Sequence, residues 1–267
     1  MYLYFSTFLL NLLLVIYFNF KPLYRFIFFI TIFLNYSTEL VIIIGKFFNW
    51  VGQMHLCKLC SVSTRDIKDM KKELIYYRCT NCGFISLDED FIVTNEREKK
   101  QYDQHNNSLE NKGYVQMFED FIDATIAPYL TTLKSALDFG SGPEPILSVL
   151  LERRGLEVDI YDFYYATHKV YERKKYDLIT STEVFEHLSK PLEVLKLLVN
   201  HLNEGGYIAL MTKFPPEDDQ KFLNWWYRRD PTHISFFTEK SFELMAEKVG
   251  VRVLKTINHN MVIFQKC

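Results

Sequence analysis

Residues 137–145 read Leu137-Asp138-Phe139-Gly140-Ser141-Gly142-Pro143-Glu144-Pro145, and the fold is decided here. Ser135–Phe139 is predicted as a short apolar strand, with two glycines directly after it. Glycines just past a strand let a ligand approach the backbone, and a helix that starts after them offers unpaired amides to an anionic group. That helix is predicted over Ile146–Arg154, ended by Gly155. A second strand, Glu157–Tyr161, leads to Asp162, 24 residues beyond Asp138. An acidic side chain at that place can accept hydrogen bonds from both hydroxyls of a ribose. A Gly-x-Gly loop alone also suits a dinucleotide, but Pro145 stands where the third glycine of G-x-G-x-x-G belongs.

Further along the chain, the alternation of strand and helix continues. Tyr176–Ser181 is predicted as a strand and Leu192–Leu202 as a helix opened by Pro191. Tyr207–Thr212 follows as a strand after Gly205-Gly206, and Thr238–Val249 as a helix stopped by Gly250. Val251–Ile257 and Met261–Gln265 read as a terminal hairpin joined across Asn258-His259-Asn260. This order predicts an α/β protein with a mostly parallel, Rossmann-like sheet covered on both faces, a C-terminal antiparallel hairpin, and binding at the carboxyl ends of the strands.

Upstream, Cys57-Lys58-Leu59-Cys60 and Cys79-Thr80-Asn81-Cys82 form two C-x2-C pairs separated by 18 residues. Cys57, Cys60, Cys79 and Cys82 have the spacing of a four-thiolate zinc site, and Gly83 suits a tight knuckle after the second pair. Leu74–Arg78 and Phe84–Leu87 read as short strands, which makes the segment a small zinc ribbon. Two disulfides or four free thiols are the alternatives. Four thiolates leave no open coordination position, so the zinc would be structural. Cys267 is left over at the C-terminus.

Composition divides the chain sharply. Residues 1–53 hold 36 hydrophobic residues and 16 of the 43 aromatics. They contain Lys21, Arg25 and Lys46 against Glu39, leaving 28 basic and 32 acidic residues downstream, a net −4. That acidic balance argues against broad electrostatic binding to nucleic acid. Tyr2–Phe20 and Phe26–Gly45 are each long enough for a membrane-crossing helix. The other reading is an over-extended gene start, with Met54 as the initiating residue. The domain reading is therefore an apolar segment over 1–53, a zinc ribbon over 54–90, a helical lid and linker over 91–132, and the α/β domain over 133–267.

The segment Tyr176-Asp177-Leu178-Ile179-Thr180-Ser181-Thr182-Glu183-Val184-Phe185-Glu186-His187-Leu188 completes a set of ordered motifs. With LDFGSGPEP, VDIYD, LNEGGYIALMT and RRDPTHISFFTEKSFELMAEKVG, the chain resembles the class I S-adenosylmethionine-dependent methyltransferases over about residues 55–265. It is most similar to the small bacterial group with an amino-terminal zinc ribbon. The resemblance implies a seven-stranded sheet whose last strand runs antiparallel. It implies that Gly140, Ser141 and Gly142 face the methionine end of S-adenosylmethionine, that Asp138 orients that loop, and that Asp162 holds the ribose. Thr182 and Glu183 would lie beneath the sulfonium. Only 13 residues, 163–175, separate Asp162 from the next strand, so the family's third strand is expected to be shortened or missing, and its adenine contact goes unassigned.

Methyl transfer needs a base only where the acceptor must lose a proton, and histidine is the usual choice. His187 and His233 are the candidates, each with a structural alternative: a loop cap for His187, a backbone-bonded loop residue for His233. Trp225, Trp226 and Tyr227 would line an acceptor pocket or form a local core under a lid. Tyr102, His105 and Asn106 resemble the family's amino-terminal lid. The expected function is methylation of a small-molecule or cell-surface-precursor acceptor, with a cytoplasmic catalytic domain anchored to a membrane if residues 1–53 are translated. An RNA methyltransferase that grips its substrate through the ribbon, and a non-catalytic cofactor-binding module, are the alternatives. NAD-dependent oxidoreduction is disfavoured by Pro145 and the Glu183–His187 segment. The oligomeric state is left open.

Overall fold

The apolar run that precedes Gly140 is strand β4 (Ser135–Phe139), with its last four residues buried. A strand buried on both faces belongs inside a covered parallel sheet. Strand β5 (Glu157–Tyr161) lies parallel to β4 on one side and β6 (Tyr176–Thr182) on the other. The computed structural model, which describes residues 55–104 and 108–267, continues this into a six-stranded sheet of order β5-β4-β6-β7-β10-β9. Here β7 is Leu202–Met211, β9 Val251–Ile257 and β10 Met261–Lys266. Strand β10 runs antiparallel to both neighbours, as the predicted terminal hairpin requires.

The period of two along each strand divides the core into two layers. Ala136, Leu178, Ala209 and Met211 pack with Phe121, Ile122, Leu147 and Leu150, from α2 (Lys112–Thr125) and α3 (Ile146–Glu152). Leu137, Ile179, Ile208 and Leu210 pack with Leu195, Leu198, Phe242 and Met245, from α4 (Pro191–Asn200) and α6 (Glu239–Val249). Helix α6 is set by a capping box at its start, where Thr238 and Ser241 exchange side-chain and backbone bonds, and by Gly250 at φ 75° at its end.

One departure from expectation has a local cause. Strand β7 begins at Leu202 rather than Tyr207, because Leu202 pairs with Tyr176 through a register shift that keeps Gly205 and Gly206 within the strand. The family's third strand is missing, as the short interval led one to expect: residues 163–175 contain no strand, the sheet has six members among the described residues, and β5 becomes its edge.

The cysteine-bearing segment forms a second, four-stranded antiparallel sheet of order β1-β2-β3-β8. Its strands are β1 (Thr64–Asp69), β2 (Leu74–Cys79), β3 (Ile85–Leu87) and β8 (Ser235–Phe236). Strand β1 went unread because Thr-Arg-Asp-Ile-Lys-Asp is a charged edge strand with only Ile67 and Asp69 buried. Strand β8 comes from the insertion after β7 and pairs Phe236 with Ile85. The same insertion carries α5 (Asp219–Asn224) and Arg228, whose guanidinium is buried against Asp69 at 2.8 Å and the Tyr76 hydroxyl at 3.2 Å. Residues 55–267 therefore pack as one unit.

The two apolar runs within residues 1–53, and also His105 and Asn106, lie outside the described residues. Among the described residues no helix is long and apolar enough to cross a membrane.

Candidate active site

The loop after β4 is drawn tight against the end of β5. Gly140 and Ser141 both donate their amides to the Tyr161 carbonyl, at 2.7 and 3.2 Å. Gly140 holds φ 88° and Gly142 φ 69°, conformations open to glycine at little cost. A Cβ on Gly140 would stand 2.2 Å from Val184 Cγ2, whereas one on Gly142 would meet nothing within 4 Å and would project into open space. Gly140→Ala is thus expected to destabilise the protein by roughly 2–5 kcal/mol, from left-handed strain plus overpacking. Urea unfolding checks this, and the double variant Gly140→Ala/Val184→Ala should recover the packing part only. A single variant as stable as the parent refutes the close approach.

Asp162 is the hub of this corner. Its Oδ2 accepts the Gly142 amide at 3.0 Å, and its Oδ1 accepts the amides of Tyr164 and Tyr165 at 2.8 and 3.0 Å. A carboxylate has about four acceptor positions, so three are already used and one on Oδ2 remains for a ribose hydroxyl. Asp138 lies deeper, its two oxygens accepting the hydroxyls of Ser148 and Thr180 at 3.1 Å each. Burial pushes its carboxyl up to about 6 against the pull of those two bonds.

Strand β6 delivers the opposite wall. Thr182 ends it buried, and Glu183 follows at φ 54° with its amide bonded to the Met211 carbonyl at 2.8 Å. The Tyr227 hydroxyl contacts Glu183 Oε2 at 3.0 Å and also meets Glu186 Oε1. Burial pushes both carboxyls upward, and the neighbouring Glu183 charge adds to the rise at Glu186. His187 Nδ1 lies 3.0 Å from the Thr232 carbonyl and His233 Nδ1 2.7 Å from the Tyr227 carbonyl. The two imidazoles meet edge to face at 4.7 Å between centroids.

All nine predicted cofactor and catalytic residues line one cavity: Asp138, Gly140, Ser141, Gly142, Asp162, Thr182, Glu183, His187 and His233. Its volume is about 1540 Å³, above the roughly 300–1,000 Å³ of an ordinary small-ligand pocket. Trp226 and Tyr227 also line it, while Trp225 packs with Phe222 and Phe236 in the core beside the four-stranded sheet. Tyr102 reaches the same cavity. At the end of α1 (Asn95–Tyr102) it lines the cavity and packs edge to face on His187 at 5.1 Å.

Several contributors went unread. Glu98 accepts the hydroxyls of Tyr102 and Tyr164, and Asp103 that of Tyr165, so α1 is clipped over the loop after Asp162. The doubled tyrosine after the acid was the one local signal. Glu186, read as a loop cap, is fully enclosed beside the cavity wall.

The cysteines form a separate cluster. One sulfur from each of Cys57, Cys60, Cys79 and Cys82 lies within 4.8 Å of the others, with closest pairs at 3.3, 3.7 and 3.9 Å. Disulfide sulfurs stand about 2.05 Å apart, while four ligands at about 2.3 Å around a tetrahedral zinc stand roughly 3.8 Å apart. Amides of Leu59, Asn81 and Cys82 point at the knuckle sulfurs at 3.4 Å. Cys267 is exposed and apart.

Residues 110–256, more than half of the chain, match the family described as Methyltransferase domain. The chain belongs to this methyltransferase family. No curated protein matches the chain by sequence. Among solved structures it is similar to an O-methyltransferase family protein from Burkholderia thailandensis, at 11% identity over 63% of this chain and 62% of that one, TM-score 0.48. It is also similar to mitomycin 7-O-methyltransferase, at 11% identity over 65% and 58%, TM-score 0.48. A third is magnesium protoporphyrin IX methyltransferase from Synechocystis, at 15% identity over 64% and 94%, TM-score 0.46. The chain spans about six tenths of the length of the first two of these structures.

Proposed function

We propose that the protein transfers a methyl group from S-adenosylmethionine to a small-molecule acceptor, a soluble metabolite or a cell-surface precursor. The observation that carries this reading is the single cavity into which the glycine loop, Asp162, the end of β6 and the two histidines converge. The residues fit the cofactor: open space beside Gly142, a remaining acceptor position on Asp162, and room for a second molecule. S-adenosylmethionine bound there supplies a methyl group on a sulfonium, open to in-line displacement. Asp162 would hold the ribose, Gly140–Gly142 the methionine end, and Asp138 would fix the loop between them. Thr182 and Glu183 would lie beneath the sulfonium, and α1 with Tyr102 would exclude water, which strengthens every polar contact inside.

His187 and His233 stand on the acceptor side. A carbonyl can only accept, so each Nδ1 carries its ring's proton and the Nε2 lone pair is the basic one. The four cysteines are proposed to hold a structural zinc, which suits a reducing, cytoplasmic setting. The domain reading, with a ribbon over 54–90, a lid over 91–132 and a transferase domain over 133–267, is kept on the same terms.

Titration calorimetry with S-adenosylmethionine and S-adenosylhomocysteine tests the proposal, followed by incubation of the full chain with labelled cofactor and fractionated extract. One site per chain and a labelled small product are expected. Absence of binding to both ligands sinks the reading.

A further inference from the structure

We infer that Glu186, His187 and His233 form a second metal site, for a divalent transition cation, set into the wall of the cofactor cavity and separate from the four cysteines. One donor atom from each of the three lies within 4.8 Å of the others. Two imidazoles and a carboxylate are the borderline donor set that suits zinc, iron, cobalt or manganese. Ligands at about 2.0–2.2 Å around a tetrahedral ion stand roughly 3.4 Å apart, so the three close inward by about an ångström on binding.

The surroundings are those of a ligand set. Each imidazole gives its Nδ1 proton to a backbone carbonyl, Thr232 for His187 and Tyr227 for His233. That is the arrangement which turns an Nε2 lone pair toward a metal and fixes the ring. His187 Nε2 lies 4.0 Å from Glu186 Oε1. Glu186 is fully buried, and among the described residues its Oε2 has no hydrogen bond of normal geometry.

The Tyr227 hydroxyl meets Glu186 Oε1 and stands 3.0 Å from Glu183 Oε2, so it helps to hold the Glu186 carboxyl beside the two imidazoles. His187 and His233 line the cavity while Glu186 sits behind them, so positions left open by three protein ligands face the space for the acceptor. This deepens the proposed function, and rests on it only for the acceptor: the histidines then hold a cation that an oxygen-bearing acceptor would meet, instead of taking its proton.

The test uses the full chain with zinc already in its cysteine cluster. Manganese(II) titration, read by loss of the free-ion electron paramagnetic signal, is expected to give one equivalent bound. His187→Ala and His233→Ala should each weaken that binding at least tenfold while leaving the far-ultraviolet dichroism intact. Should either variant fold poorly, cobalt(II) added to the parent protein carries the test. It should give ligand-field bands without a new sulfur-to-metal charge-transfer band. No manganese bound, binding undiminished in both folded variants, or a cobalt spectrum with thiolate bands alone overturns the inference. Manganese binding without S-adenosylmethionine binding would count against the proposed function and leave the metal site standing; the converse would separate them the other way.

Discussion

Asp162→Asn is expected to weaken S-adenosylmethionine binding at least a hundredfold and to lower thermal stability even without ligand. The side chain accepts three backbone amides, one on Oδ2 and two on Oδ1. An asparagine of the same shape turns one of those faces into a donor. Whichever way the amide flips, an NH2 group then opposes at least one backbone N–H, and each buried donor left unpaired costs about 1–3 kcal/mol. The loss frees Gly142 from β5 and removes the anionic acceptor for the ribose, so two contributions to affinity fall together. A hundredfold change is about 2.8 kcal/mol, within the roughly 1.5–3 kcal/mol of a hydrogen bond to a charged group. Calorimetry and a thermal melt read both effects. A dissociation constant within threefold of the parent's would falsify the assignment of Asp162.

The second large effect concerns the cysteines. Cys79→Ser/Cys82→Ser is expected to lose one equivalent of zinc per chain and to abolish methyl transfer, although no cysteine touches the cavity. Structural zinc contributes on the order of 10 kcal/mol to domains that cannot fold alone. The cluster is welded into the main core: Phe84 packs on Phe237 at 5.2 Å, and the Cys82 carbonyl accepts the Thr238 hydroxyl at the start of α6. Loosening the knuckles therefore loosens the segment that carries Tyr227 and His233. Metal analysis and a melt in the presence of a chelator provide the measurements. A double variant that keeps its full zinc content and its melting temperature would dismiss the site.

How much of this was legible in the residues follows from how local each feature is. The loop at Gly140, the acid at Asp162 and the terminal hairpin rest on short-range periodicity and turn chemistry, and they stand where expected. The 13-residue interval before Tyr176 was enough to foresee the missing strand, because a helix–strand–helix does not fit in it. Thiolate spacing is likewise a local signal. Strand β8 is two residues long and has meaning only through Ile85 and Ser86, far away in the chain. The tyrosine clips onto Glu98 and Asp103 are pairings of the same long-range kind. Glu186 looked like a cap because one chain cannot tell which loop carboxylate the tertiary fold will enclose. The apolar runs before Met54 belong to no described element.

The pairing of Ser86 with Ser235 also has a consequence in time. These partners are 149 positions apart. At roughly 5–20 residues per second of synthesis, the bare edge of β3 waits about 7–30 s for its neighbour to leave the ribosome. During that interval the nascent antiparallel sheet offers an unpaired backbone edge to any other strand. Early metal capture, a holding chaperone, or slow-codon pauses before residue 235 would each bear on the yield of active protein, and on no property of the finished molecule.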